Sequence, residues 1–250
     1  MLIRRASPGG TSDCCAIAVM AKASHPGQTK TRLSPPLTPS QAAALNTAFL
    51  ADMNANLELA ARDTKLARFL AFGPPQSAPF FEDLVGADVG LLETWLPTLG
   101  DCLRYAVQSL LGLGYGAACV LNSDSPTLPT AVIVAAVESL RSEGDRIVLG
   151  PTTDGGYYLL GLKRAHRRLF EDIAWSTSRV AEQTLQRAAE LGLEVVLMPA
   201  WYDVDDAAAL RLLAEETLAG QAFSKEYRSY AAAHSTELLV GNWPLHADSV

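Results

Sequence analysis

Cys14-Cys15-Ala16-Ile17-Ala18-Val19-Met20 is an unbroken apolar run of strand length. It lacks the alternation of a half-exposed strand, so it reads as a strand covered on both faces, the kind found in parallel sheets flanked by helices. Polar residues take over at once. Residues 21–36 hold Lys22, Pro26, Gly27, Lys30, Arg32 and the adjacent Pro35 and Pro36, which make a loop. Thr38-Pro39 then opens a long helix to about residue 62, with Thr38 as N-cap and Pro39 at the first helical position.

Outward from this unit the same alternation continues. Strands are predicted over 66–72, 88–92 (weakly), 116–121, 146–149, 157–162 and 194–198. Helices are predicted over 78–85, 100–113, 129–142, from a Ser176 or Thr177 cap to about 191, and over 206–218. Strands alternating with helices imply an α/β fold with a doubly wound, mostly parallel, Rossmann-like sheet. Residues 1–13 read as a flexible leader, 14–218 as a single domain, and 219–250 as an extension without clear periodicity.

Composition narrows the function. The chain has 250 residues, 49% of them hydrophobic, and a formal net charge of −7 from 20 basic and 27 acidic side chains. An acidic chain is a poor partner for a nucleic-acid polymer or an anionic membrane, so any anion must be held by a local cluster of cations. No stretch approaches the length of a membrane span, and none inserts. The four cysteines, Cys14, Cys15, Cys102 and Cys119, lack metal-ligand spacing and read as small buried thiols of a reducing, cytoplasmic environment. Oligomeric state is open, with a homodimer allowed for.

Five segments carry chemistry. Lys22, Lys30 and Arg32 place three cations in the loop after the first strand; the loop lacks the paired glycines of a Walker motif, and a solvated basic loop is the plainer alternative. Asn122-Ser123-Asp124-Ser125-Pro126 follows the strand 116–121. There Asp124 is placed to hold Mg²⁺, or merely to end the strand as an Asx-turn. In Tyr202-Asp203-Val204-Asp205-Asp206, alternation puts Asp203 and Asp205 on one side and leaves Asp206 to cap the next helix. Asp154-Gly155-Gly156 is a turn open to positive φ or to close ligand approach, or a plain hairpin turn. Trp175-Ser176-Thr177 opens a helix whose free amides could take an anionic acceptor, or simply cap it.

Taken together, these segments resemble the bacterial radical-SAM/selenodomain-associated transferases of the nucleotide-diphospho-sugar transferase (GT-A fold) superfamily. The residues that carry the likeness are Ala21-Lys22, Pro26-Gly27, Lys30-Thr31-Arg32-Leu33, Ser123-Asp124-Ser125-Pro126, Asp154-Gly155-Gly156-Tyr157-Tyr158, Trp175-Ser176-Thr177 and Tyr202-Asp203-Val204-Asp205. The first loop is also similar to that of phospholactate guanylyltransferases and, more loosely, molybdenum-cofactor guanylyltransferases. The sequence departs from the family pattern at Gln28, Ser125 and 206–209.

The resemblance implies that Lys22, Lys30 and Arg32 carry nucleotide phosphates, and that Asp124 with Asp205, or Asp203, binds Mg²⁺ or Mn²⁺. Ala21, Gly27, Thr31, Ser123, Asp154, Gly155, Gly156, Trp175, Ser176 and Thr177 are then expected to line the nucleotide and substrate site. The expected function is Mg²⁺-dependent nucleotidyl transfer from a nucleoside triphosphate to a small, phosphorylated acceptor, with release of pyrophosphate. Glycosyl transfer from a nucleotide-sugar is the first alternative, and a non-catalytic nucleotide-binding module the second.

Overall fold

The computed structural model describes residues 1–7 and 9–240. Eight strands form one sheet: β1 (Leu2–Arg4), β2 (Cys15–Lys22), β3 (Leu66–Gly73), β4 (Gly90–Glu93), β5 (Ala117–Leu121), β6 (Arg146–Pro151), β7 (Tyr157–Leu162) and β8 (Glu194–Leu197). Their order is β1-β4-β3-β2-β5-β7-β6-β8. The pairs β4–β3, β3–β2, β2–β5 and β6–β8 are parallel, whereas β7 runs antiparallel to both β5 and β6. The sheet is therefore doubly wound and mostly parallel, as expected, with β7 inserted as a hairpin partner of β6.

The chain winds outward from β2 through β3 to β4, then crosses back to β5 on the other side of β2. The carboxyl ends of β2 and β5 thus flank the switch point, where open α/β sheets leave a crevice for ligand. β2 can sit at that centre because both its faces are apolar. Cys15, Ile17 and Val19 join one core, while Cys14, Ala16 and Ala18 join the other.

The first core is covered by α1 (Pro39–Ala60), α2 (Ala78–Leu84), α4 (Thr130–Arg141), α6 (Ala207–Leu218) and α7 (Ala233–Val240). The second is covered by α3 (Leu99–Gly112) and α5 (Val180–Glu190). Local sequence sets the ends. Thr38 and Gln41 form a reciprocal capping box at α1, with Pro39 following, and Asp206 Oδ1 accepts from the amides of Ala208 and Ala209, both at 2.9 Å, to start α6.

Two readings change. Leu2–Arg4, expected in a flexible leader, is an edge strand paired antiparallel with β4, and Arg4 donates from Nε to the Val89 carbonyl at 2.9 Å. Three residues are too short for a period-two signal, so only the partner strand reveals them. The segment after 218 also docks. The buried carboxylate of Asp52 in α1 accepts from the amides of His234 and Ser235, each at 2.9 Å, and from Ser235 Oγ at 2.5 Å, which fixes the start of α7. Burial pushes the Asp52 carboxyl up, against the downward pull of these donors. Glu216, also buried, accepts from the Tyr202 hydroxyl at 2.5 Å and from the Phe223 amide at 3.2 Å. The predicted extension beyond residue 240 lies outside the described residues.

Candidate active site

Three loops meet beyond the carboxyl ends of β2 and β5. The first leaves β2 and turns back through Lys30, a non-glycine residue at φ 51. Backbone in that region costs on the order of 1 kcal/mol and persists only where the surroundings fix it. What fixes Lys30 is its ammonium group. It lies 2.9 Å from Asp124 Oδ2 and 2.9 Å from Asp205 Oδ1, and donates to the Val204 carbonyl at 3.0 Å. All three N–H donors are thus taken by protein acceptors, and the ammonium also stands 5.5 Å from the Phe49 ring centroid.

The second loop follows β5 and presents Asp124, whose Oδ1 accepts from Ser123 Oγ at 2.7 Å. The third carries Asp203 and Asp205, and the Val204 amide donates to the Asp124 carbonyl at 2.8 Å. This one backbone bond brings Asp205 beside Asp124. Arg32 adds an ion pair to Asp205 Oδ2 from an exposed position.

The electrostatics follow from this packing. Burial lowers the affinity of Lys30 for its proton, but Asp124 and Asp205 outweigh it, so the ammonium is held above its ordinary pKa. Burial raises Asp205, and Lys30 and Arg32 then draw it below the usual carboxylate range. Asp203 lacks such a partner. Burial, with the nearby carboxylates Asp154, Asp205 and Asp124, lifts it from 3.8 to about 6. Four carboxylates face two cations here, a formal surplus of two negative charges. Among the described residues, no three His, Cys, Asp or Glu side chains form a ready metal cage.

Cavities on either side share this centre. A cavity of about 620 Å³ is lined by Ala21, Lys22, Thr31, Ser123, Asp124 and the exposed Trp95, among others. A second, of about 410 Å³, lies against β5, β7 and the loop before α5; it touches Asp154, Gly156, Trp175, Ser176 and Thr177. Arg32, Asp205 and Ser176 line both. Ser176, at φ 62, is a second non-glycine residue in the left-handed region at this junction.

Most predicted site residues therefore converge, with exceptions. Gly27 (φ 74) turns the exposed loop without lining either cavity. Gly155 (φ 94) serves packing: a Cβ there would lie 2.1 Å from the Ser178 carbonyl oxygen, and its own carbonyl accepts from the Ala181 amide at 3.0 Å. The helix expected to begin at Ser176 or Thr177 begins at Val180. Thr177 caps locally instead, its Oγ1 accepting from the Arg179 amide at 3.3 Å. The amides of Val180 and Ala181 bond to the Thr177 and Gly155 carbonyls, so the predicted anion site at that helix end is already filled. Lys22 donates to the Gln28 carbonyl at 3.1 Å and remains exposed at the cavity edge.

Sequence reasoning passed over Trp95 and Leu99, and gave Asn122 no role within its motif. Trp95 lies two residues beyond β4, at the carboxyl end of a parallel strand. That placement was the available signal, since 57% exposure of so large an aromatic is unusual. Gly73 makes room for it, because a Cβ there would lie 2.2 Å from the indole ring. Cys102, expected to be buried, is half-buried in the wall of the larger cavity.

Comparison with known proteins agrees with this fold. A family model described as "Uncharacterized protein conserved in bacteria (DUF2064)" matches residues 56–177. The sequence matches no curated protein. A candidate nucleotide-diphospho-sugar transferase from Desulfovibrio desulfuricans G20 is 26% identical, with a TM-score of 0.76 over 92% of this chain and 96% of that one. A 4-diphosphocytidyl-2C-methyl-D-erythritol synthase from Anaerococcus prevotii is 8% identical, with a TM-score of 0.54 over 83% and 97%. A cytidylyltransferase from Leptospira borgpetersenii is 11% identical, with a TM-score of 0.53 over 94% and 98%. The last two likenesses show a shared fold. The chain has the fold of nucleotide-dependent transferases, and among the described residues no helix is long and apolar enough to cross a membrane.

Proposed function

We propose that the protein is a divalent-metal-dependent nucleotidyltransferase, moving the nucleotidyl group of a nucleoside triphosphate to a small-molecule acceptor and releasing pyrophosphate. The observation that carries this reading is the Lys30–Asp124–Asp205 centre at the switch point between β2 and β5, with Lys22 and Arg32 at its rim. Phosphoryl chemistry of this kind relies on positioning and charge neutralisation more than on covalent help.

Asp124 and Asp205, with Asp203 beside them, are the residues that would hold Mg²⁺ or Mn²⁺. Their hard oxygen donors suit such ions, and Mg²⁺ needs only one or two protein carboxylates, the remainder coming from water and phosphate. Burial first, and the neighbouring carboxylates Asp154, Asp205 and Asp124 after it, hold the Asp203 carboxyl above its ordinary range, and a dication would relieve the repulsion among them. A bound ion would supply charge neutralisation at the transferred phosphate. Lys22 and Arg32 then steady the departing pyrophosphate. Lys30 keeps Asp124 and Asp205 together in the absence of ligand and is the nearest ammonium to any phosphate placed between them.

Glycosyl transfer is the second reading, favoured by the likeness to the candidate nucleotide-diphospho-sugar transferase. Incubation with each nucleoside triphosphate, Mg²⁺ and a panel of acceptors separates the two. Pyrophosphate release is the expected result. Free nucleoside diphosphate formed from nucleotide-sugars, without pyrophosphate from any triphosphate, would overturn the first reading.

A further inference from the structure

We infer that the smaller cavity is the acceptor subsite and that its occupant is an uncharged hydroxyl compound with an aliphatic or aromatic skeleton, not a phosphorylated one. This rests on the nucleotidyl-transfer reading above. Leu99, Leu103, Val120, Tyr157, Trp175 and Val180 make its walls apolar. Trp175 is fixed by Gly100, where a Cβ would lie 2.5 Å from the indole nitrogen.

Charge argues against a phosphate in this space. The charged side chains lining it are Arg32, Asp154 and Asp205, and Arg32 is already paired with Asp205. An acceptor phosphate would meet Asp154, and would compete for Arg32 both with Asp205 and with the pyrophosphate leaving the other cavity. The end of α5 gives no relief, because its first amides are bonded within the protein and Glu182 lies in its first turn. The larger cavity, by contrast, carries Lys22, which among the described residues has no carboxylate partner.

Two side chains on the cavity wall each leave a buried polar atom without a hydrogen-bond partner, the Asn122 Oδ1 and the Tyr157 hydroxyl. Burial pushes the Tyr157 phenol well up, so it stays protonated and able to donate. Such unpaired atoms are rare in folded proteins and ask for a partner. With a modest side-chain rotation, a ligand hydroxyl in the cavity provides one.

Arg32 and Asp205 line both cavities, so an occupant's hydroxyl faces the α-phosphorus of a triphosphate held opposite. In the transfer the acceptor oxygen bonds to that phosphorus. The bond to the oxygen bridging the β-phosphate breaks, and pyrophosphate leaves with its electron pair. The hydroxyl proton passes to Asp154, whose bonds from Thr152 Oγ1 (2.5 Å) and the Gly156 amide (3.0 Å) both reach Oδ1 and leave Oδ2 to accept it.

Calorimetry on the full chain, with benzyl alcohol and cyclohexanol as probes and glucose 1-phosphate as the charged comparator, tests this. Each is titrated with and without Mg²⁺ and a nucleoside triphosphate. The alcohols should bind and the sugar phosphate should not compete with them. Trp175→Ala should weaken benzyl alcohol about tenfold, with nucleotide affinity changed less than about twofold. Tyr157→Phe, which keeps the ring, should weaken both alcohols about threefold to tenfold and guards against a folding defect in the first variant. Displacement of the alcohols by glucose 1-phosphate, alcohol affinity indifferent to both variants, or no alcohol binding would each overturn the inference. Alcohol binding that responds to the variants while no nucleotide binds supports the subsite and overturns the donor reading instead.

Discussion

Lys22, Gln28 and Thr31 on one side of the Lys30–Asp124–Asp205 centre stand against Leu103, Val120 and Trp175 on the other. The first group runs from the end of a buried strand into the loop after it, where charge costs little until a ligand arrives. The second is drawn from α3, β5 and the loop before α5, three segments that meet only after the sheet has closed. A cleft with one charged and one apolar side, joined at Asp205 and Arg32, suits a reaction in which a polyanionic donor meets a neutral acceptor. Ways to break this contrast begin at the shared centre and move outward.

The largest effect is expected at Asp124. Asp124→Asn keeps the shape of the side chain and removes the charge, and should lower turnover by about 10²–10³-fold in a pyrophosphate-release assay. Unchanged turnover would remove the centre from the chemistry.

Lys30→Met should cost about 3 kcal/mol of stability in denaturant titrations, because it leaves Asp124 and Asp205 facing each other without the ammonium now 2.9 Å from each. Mg²⁺ should restore part of that loss, and should raise the melting temperature of the variant more than that of the parent chain. Equal Mg²⁺ responses would separate the lysine from the metal carboxylates.

A pH effect of about 1–2 kcal/mol, discounted for partial exposure, is expected at Asp203. Its folded pKa of about 6 lies above the ordinary 3.8, so its ionised form is the destabilising one. Without Mg²⁺, stability should fall as pH rises from about 3.8 to above 6. Asp203→Asn should be more stable than the parent at pH 7 and no more stable near pH 3.5. A gain that persists at low pH would point to packing instead.

The smallest effect is expected at the rim. Trp95→Ala should weaken nucleotide binding about fivefold, as loss of a stacking face does, and should abolish ligand-induced quenching of indole fluorescence. Quenching retained in the variant would place the base elsewhere.

The charged side of the cleft was legible in the sequence because its residues are contiguous and follow strands that announce themselves. The apolar run of β2 and the strand before Asn122 locate the loops that hold Lys30 and Asp124, and the alternation in 202–206 separates the capping Asp206 from Asp203 and Asp205. What the residues alone could not convey is pairing. That Lys30 turns its ammonium onto Asp124 and Asp205, and not outward, depends on the Val204–Asp124 backbone bond between segments 80 residues apart. The apolar side was hidden for a similar reason, since Leu99, Leu103 and Val120 look like ordinary core residues in their own elements, and of its walls only Trp175 was expected at the site. The antiparallel course of β7 is not written in the strand itself, because a strand buried on both faces has no direction in its pattern; only the hairpin reading of the turn at 154–156 pointed to it. Asp52 and Glu216, which anchor the segment after α6, sit in helices where an acid normally marks the solvent face.

The most direct test of the account is the thermal stability of the parent chain and Asp124→Asn with each nucleoside triphosphate, with and without Mg²⁺. The account predicts that at least one triphosphate raises the melting temperature of the parent only when Mg²⁺ is present, and that Asp124→Asn loses this response. A triphosphate that stabilises both proteins equally, and without regard to Mg²⁺, would contradict it and leave a nucleotide-binding module without the proposed chemistry.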